Sequence, residues 1–231
     1  DGTVGANKST VKIIGNNTDL YSQAYFAYDS KKAGGVTRSH LRFGPTPIHS
    51  PYYINKADFI SSSQESYAFK FDMVRDLKDG GTFLLNTTMS ADEVADKLPN
   101  RMLKGLADKH AKFFIINANA IARETHMGSH TNTILQSAFF KLNEQIMPYS
   151  KSLQWMEESA RTTYARKGQD VVDNNIAAIN KGAEGLVEVT VNPEWSNLTS
   201  KGALYKETGD AYYDGFVQKI NALEGYNMKV S

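Results

Sequence analysis

Behind a glycine-punctuated start, Asp1-Gly-Thr-Val-Gly-Ala-Asn-Lys8, the chain turns apolar at Val11, Ile13 and Ile14. The pattern predicts a loop over residues 1–8 that opens into a helix from Ser9. Gly2 and Gly5 allow tight turning and close approach to a ligand. The first N–H groups of the following helix lack intrahelical partners, so a phosphate suits the loop, with Lys8 adding a positive charge. A loop of this kind normally follows a buried strand. The expected reading is therefore a piece of a longer polypeptide, and the alternative is an N-terminus that happens to hold two glycines. The loop is neither Gly-x-Gly-x-x-Gly nor Gly-x-x-x-x-Gly-Lys-Ser/Thr.

Further on, Gln23–Tyr28 reads as an aromatic strand and Val36–Phe43 as a second. Alternation in the second puts Arg38, His40 and Arg42 on one face. That face is expected either to be solvated or to meet carboxylates or phosphates. Ala57–Ser61 is a short strand. Phe69, Met73 and Leu77 fit a helix over 67–77, closed by Asp79-Gly-Gly81. Thr82–Asn86 and Lys112–Asn117 are continuous apolar strands of the kind buried in parallel sheets, separated by helices over Ala91–Lys97 and Arg101–Lys109. Helices follow at 118–124, from Thr131, over 152–167 and over 170–181, where Val172, Ile176 and Ile179 point inward. Leu186–Val191 alternates like a strand. Residues 192–209 are polar and read as an extended arm, ended by a short helix over 212–223. The fold class expected is α/β: a mainly parallel, Rossmann-like sheet flanked by helices, with a helical extension and an extended C-terminal arm. The boundary falls near residue 185, giving 1–185 and 186–231. Ligands of such sheets gather outside the carboxyl ends of the strands, where Tyr28–Ser30, Asn86-Thr87 and Asn117 fall.

Composition narrows the chemistry. The chain is 41% hydrophobic and 22% charged, with a net charge of +1, and this gives no general attraction to nucleic acid or to an anionic membrane. No apolar run approaches the roughly 18 residues of a membrane helix, and a cytoplasmic location is expected. The absence of cysteine excludes disulfides, cysteine nucleophiles and cysteine-ligated clusters within these residues. His126 and His130 have the i, i+4 spacing of a metal pair, but Gly128 intervenes and no third ligand is evident, so no metal site is assigned.

Several segments together resemble the pyruvate:ferredoxin (flavodoxin) oxidoreductases. They are Asp1–Lys8 with Lys12-Ile-Ile-Gly15, Tyr28-Asp-Ser-Lys-Lys-Ala-Gly-Gly35 with Ser39-His-Leu-Arg-Phe-Gly44, and Ala57-Asp-Phe59. Gly80-Gly-Thr-Phe-Leu-Leu-Asn86, Ala122-Arg-Glu124, Asn132-Thr-Ile134 with Gln136, and Tyr164-Ala-Arg-Lys-Gly168 continue the set. They keep the family's order from Asp1 to about Trp195, and the tail matches only loosely. Two places depart from the family pattern, Ser129–Asn132 and Ser62-Ser63, and they leave the identity of the 2-oxoacid open.

The resemblance implies the γ-type domain of an enzyme that decarboxylates pyruvate to acetyl-CoA. In that family, thiamine diphosphate, magnesium and 4Fe–4S clusters sit in other domains, and this domain is associated with coenzyme A. The implied partners are the remaining domains or subunits and ferredoxin or flavodoxin, with a homodimer expected for the complete enzyme. No catalytic residue and no metal ligand is assigned here. The expected coenzyme A contacts are Thr3, Gly5, Asn7 and Lys8 in the first loop, and Ser30, Lys31 and Lys32 in the second. Two alternatives stay open: a non-catalytic interface module of the same assembly, with Arg38, His40 and Arg42 as its face, and a free-standing nucleotide-binding protein.

Overall fold

The computed structural model describes residues 2–29, 35–199, 207–225 and 228. The chain forms two compact units, Asp1–Ile54 with Asn117–Leu186, and Asn55–Ile116 with Val187–Ser231.

The second unit holds a four-stranded sheet. Its strands β3 (Ala57–Ser62), β4 (Leu77–Asn86), β5 (Lys112–Ile116) and β6 (Val187–Val189) lie in that order. The first three run parallel and β6 is antiparallel to β5. Phe83 of β4 and Phe113 of β5 are fully buried, their rings 6.0 Å apart, beneath helices α3 (Ala91–Lys97) and α4 (Asn100–Asp108). Burial of each such ring contributes roughly 1.5–3 kcal/mol. The α/β expectation, with a mainly parallel sheet flanked by helices, is borne out. Helix α3 starts on a capping box: the Glu93 N–H donates to the Ser90 hydroxyl, and the Ser90 N–H donates to the Glu93 carboxylate. After β6, Val191, Trp195 and Leu198 pack on this core, and the Lys104 ammonium donates to the Ser196 carbonyl.

The expected helix over 67–77 is corrected to a five-residue α2 (Ser66–Lys70). The apolar stripe is not a helix face, because Phe69 is exposed while Leu77 pairs with Ala57 in the sheet. Asp79–Gly81 does not end a helix; it bulges within β4, with Gly80 at φ +69°. Between the Ala57–Leu77 and Phe59–Thr82 pairs, β4 takes five steps where β3 takes two.

The first unit is mostly helical. It contains α1 (Thr3–Asn17), α5 (Ala118–Glu124), α6 (Asn132–Leu142), α7 (Tyr149–Tyr164) and α8 (Gln169–Glu184). An antiparallel ribbon of β1 (Tyr21–Ala27) and β2 (Arg38–Gly44) completes it. Ile13 and Ile14 of α1, Phe140 of α6, Met156 and Ala160 of α7 and Ile179 of α8 share one core, on which Phe43 of β2 also packs. Close approach of α6 and α8 depends on Gly182. A Cβ there would lie 2.6 Å from the Ile134 carbonyl oxygen.

Aromatic rings partly cover the basic face of β2. His40 stacks on Tyr53 at 4.9 Å, the Arg38 guanidinium lies 5.5 Å from the same ring, and that of Arg42 lies 5.1 Å from the Tyr52 ring. Arg42 also donates to the Gln23 side chain and the Tyr52 carbonyl. The segment that follows Pro47 thus folds back over the strand and shares its positive charge among rings and carbonyls.

Candidate functional site

The start of the chain differs from the expected loop. Among the described residues 2–8 only Gly2 is non-helical, at φ +89°, and α1 begins at Thr3. A left-handed glycine followed at once by helical residues needs no longer turn. The glycine punctuation reads as loop, whereas Gly5 is tolerated in the first turn, where N–H groups have no i−4 carbonyl in any case. The first backbone bond runs from the Ala6 N–H to the Gly2 carbonyl at 3.0 Å, so the N–H groups of Thr3, Val4 and Gly5 have no partner within the helix. Gly2, the N-cap residue, has no side chain with which to cap this end, and no acidic residue occupies the first turn. The helix terminus carries the usual partial positive charge, and its first turn holds no side-chain carboxylate against it.

A cavity of about 490 Å³ opens beside this terminus, within the first unit. Gly2, with Gly5, Ala6 and Ser9 of α1, forms one side. Thr133 and Gln136 of α6, Met156 and Ala160 of α7, and Asn175 and Ile179 of α8 form a buried floor. His126 and His130 of the α5–α6 turn, with Thr163 and Lys167, stand exposed at the mouth. Among the described residues no aspartate or glutamate lines the cavity, and its size of about 490 Å³ falls within the roughly 300–1,000 Å³ of small-ligand sites. His126 takes a left-handed backbone, φ +56°, and the His130 Nδ1 lies 3.0 Å from the Met127 carbonyl. Among the described residues no three groups come together that could hold a metal ion.

The floor is tied to α1 by hydrogen bonds. The Gln136 Nε2 donates to Thr10 Oγ1 at 3.1 Å, and the Thr10 hydroxyl donates to the Ala6 carbonyl at 3.0 Å. Behind it, the Ser137 hydroxyl donates to the Ile179 carbonyl at 2.5 Å and lies 2.9 Å from the Tyr149 hydroxyl. Burial pushes the Tyr149 phenol above its ordinary pKa, against the opposing pull of that hydrogen bond. Two buried polar atoms on the floor have no hydrogen-bond partner among the described residues, Thr133 Oγ1 and Asn175 Oδ1.

The expected contact residues are divided by this geometry. Gly5 lines the cavity. Thr3, Asn7 and Lys8 stand on α1 but do not line it, and the Lys8 ammonium lies 5.7 Å from the Phe26 ring instead. Ser30, Lys31 and Lys32 lie outside the described residues. At the carboxyl ends of β3 and β4 the polar groups satisfy one another. The Asn86 amide donates to the Ser63 carbonyl, and the Thr87 hydroxyl donates to the Glu65 carboxylate. Sequence reasoning missed Asn175, although one signal was available: it falls on the inward stripe of Val172, Ile176 and Ile179, where a polar residue is out of place.

The first 185 residues match the profile of the family described as pyruvate ferredoxin/flavodoxin oxidoreductase. The chain belongs to that family. Over 231 residues it is 47% identical to a pyruvate-flavodoxin oxidoreductase of Enterobacter agglomerans and 42% identical to a pyruvate:ferredoxin oxidoreductase of Moorella thermoacetica. In both cases all of this chain aligns with 20% of the relative, so the chain spans about one fifth of those relatives' length. A crystal structure of the PORC subunit of pyruvate oxidoreductase from Thermotoga maritima shares the fold, with a TM-score of 0.62 at 20% identity, covering 80% of this chain and 90% of that one. The family-like segments Asp1–Lys8, Asn132–Gln136 and Tyr164–Gly168, far apart in sequence, each contribute residues to the one cavity. No helix among the described residues is long and apolar enough to cross a membrane.

Proposed function

We propose that this chain is the γ-type, coenzyme-A-binding part of a cytoplasmic 2-oxoacid:ferredoxin/flavodoxin oxidoreductase. The observation that supports the reading is the α1 terminus, without an acidic residue in its first turn, opening on a cavity lined by no carboxylate among the described residues. Coenzyme A is an anion with a diphosphate and a ribose phosphate, and free backbone N–H groups at a helix start favour such groups. Lys31 and Lys32 are offered as further phosphate contacts on sequence grounds, as point charges. The contribution to catalysis is positional: holding the thiol where an acyl group is delivered makes the transfer effectively intramolecular. No acid, base or nucleophile of this chain is required for that. Thiamine diphosphate, magnesium and 4Fe–4S clusters supply decarboxylation and electron transfer from other parts of the assembly, which is proposed to be a homodimer that delivers electrons to ferredoxin or flavodoxin.

Calorimetric titration of coenzyme A into the chain tests the reading, with desulfo-coenzyme A and NAD as comparators. Saturable heat with both coenzyme A forms and none with NAD is expected. Equal binding of NAD, or no binding of either coenzyme A form, overturns it. A second reading, an interface module, is favoured by the exposed rings of Tyr21, Tyr25, Tyr52 and Tyr53 around the β1–β2 ribbon. It predicts that Arg38→Ala with Arg42→Ala leaves coenzyme A affinity unchanged while abolishing association with the rest of the enzyme.

A further inference from the structure

The C-terminal arm carries a helix over residues 211–221, and its middle stretch, Tyr213–Val217, widens to a π-helix. Such turns are rare and are frequent at functional sites. A helix on a protein surface normally keeps its apolar side inward. This one does the reverse. Tyr212 is 70% exposed, Phe216 44%, Ile220 46% and Leu223 37%. Spaced at i, i+4, i+8 and i+11, they follow one side of the helix, with Tyr213 beside them. The Tyr212 and Phe216 rings stack on each other with centroids 5.4 Å apart, so they present one joined apolar surface. Two polar residues, Asp214 and Gln218, take half-buried positions instead.

The stripe is held in this orientation from both ends. The Asp214 carboxylate accepts from the N–H groups of Thr208 and Gly209 and from the Gln218 side-chain amide. At the other end Ala222 is buried, and Glu224 pairs with Arg101 of α4 at 3.5 Å. The contacts that fix the helix are therefore mainly polar, and its large apolar side chains are left to water. Exposed apolar patches rich in aromatic rings mark contact with another protein surface.

The lengths of the relatives indicate what covers the stripe. Residues 186–231 lie outside the family profile, which matches 1–185. They nonetheless align in the Enterobacter agglomerans and Moorella thermoacetica relatives, of which the whole chain covers one fifth. The arm is thus shared with polypeptides that hold four fifths of their length elsewhere, while it is no part of the segment by which the family is recognised. We propose that the stripe Tyr212, Phe216, Ile220 and Leu223 docks into an apolar groove on another part of the same polypeptide and fastens this part of the enzyme to the next. A helix laid in a groove is anchored through residues at such spacing. The proposal rests on the reading of the chain as part of a larger oxidoreductase, and not on coenzyme A binding.

Hydrogen exchange read by peptide mass analysis tests it, comparing the chain by itself with the complete enzyme. Amides of residues 213–223 are expected to exchange at least about tenfold more slowly in the complete enzyme, the least that burying one large apolar side chain gives. Phe216→Ser and Ile220→Ser are then made in both. In the chain by itself thermal melts should hardly move, because both side chains are exposed there. In the complete enzyme each variant should lower the melting temperature and speed exchange over 213–223. Equal exchange of wild-type chain and complete enzyme overturns the proposal. Protection that the chain gains by itself as its concentration rises, with a sedimenting dimer that Phe216→Ser dissolves, overturns it in favour of a second copy. Protection that appears only when ferredoxin or flavodoxin is added overturns it in favour of the electron acceptor. A native polypeptide no longer than this chain overturns the larger-enzyme reading and the proposal together, whereas protection in a complete enzyme that binds no coenzyme A upholds the proposal and refutes the coenzyme A reading.

Discussion

Replacing Gly182 by alanine probes the helix contact behind the cavity floor. The new Cβ would stand 2.6 Å from the Ile134 carbonyl oxygen and 2.8 Å from the Ser137 Cβ. A backbone oxygen cannot rotate away, so α6 and α8 must separate. Separation strains the Ser137 hydroxyl, which bridges to the Ile179 carbonyl and the Tyr149 hydroxyl. Overpacking of this kind costs roughly 1–3 kcal/mol, and weakening a buried hydrogen bond adds about 1 kcal/mol. The better helix propensity of alanine offsets about 1 kcal/mol. The net expectation is a loss of about 1–3 kcal/mol, read as a lower urea midpoint with an unchanged slope in far-UV circular dichroism. Gly5→Ala is the control. Nothing lies within 4 Å of its Cβ position, so propensity acts alone and stability should rise by roughly 0.5–1 kcal/mol. A Gly182→Ala chain as stable as the wild type, or more so, would refute the close α6–α8 contact.

The same Gly5→Ala chain should bind coenzyme A more weakly although it folds better, because the added methyl stands at the cavity's edge; calorimetry reads the affinity. Gly2→Ala should destabilise by about 1–2 kcal/mol, the cost of a left-handed conformation, since Gly2 sits at φ +89° with Asn132 3.2 Å from its Cβ position; thermal melts check it. The Lys97 ammonium and the Ser90 N–H hold the Glu93 carboxylate down at about 2. Its folded pKa is depressed, so the stabilisation of α3 is present above the ordinary carboxylate pKa and fades as pH falls from about 4.5 towards 2; a carboxyl NMR titration should place the midpoint near 2, and Glu93→Gln should remove that pH dependence. Burial raises the Tyr149 phenol, so its contribution is complete below pH 10 and is lost as pH rises through the folded value. Tyr149→Phe should flatten stability above pH 10.

Elements whose burial follows one strong period were legible in the sequence. The continuous apolar runs at 82–86 and 112–116 became parallel strands, and Ala91–Lys97 matched its helix end to end because Ser90 and Glu93 mark its start chemically. The stripe Phe69, Met73, Leu77 misled because three apolar positions fit a turn followed by a strand as well as a helix. Glycines misled in two opposite ways. Gly5 sits inside a helix and Gly80 inside a strand, and in each place the local string reads as a break. The cavity was legible only in part. Its α1 side was visible as a glycine motif, whereas its floor is assembled from Thr133, Gln136 and Asn175 on helices far apart in sequence. Only Asn175 leaves a trace, as a polar residue on an apolar face. The tyrosine cover of β2 left none, since it depends on how the chain folds back after Pro47.

The most direct test of the account follows the backbone amide resonances of the isotopically labelled chain as coenzyme A is added. The account predicts that the N–H signals of Thr3, Val4 and Gly5 move together with those of Thr133 and Asn175 and saturate at one ligand concentration. Saturable binding that leaves these five resonances in place would contradict it.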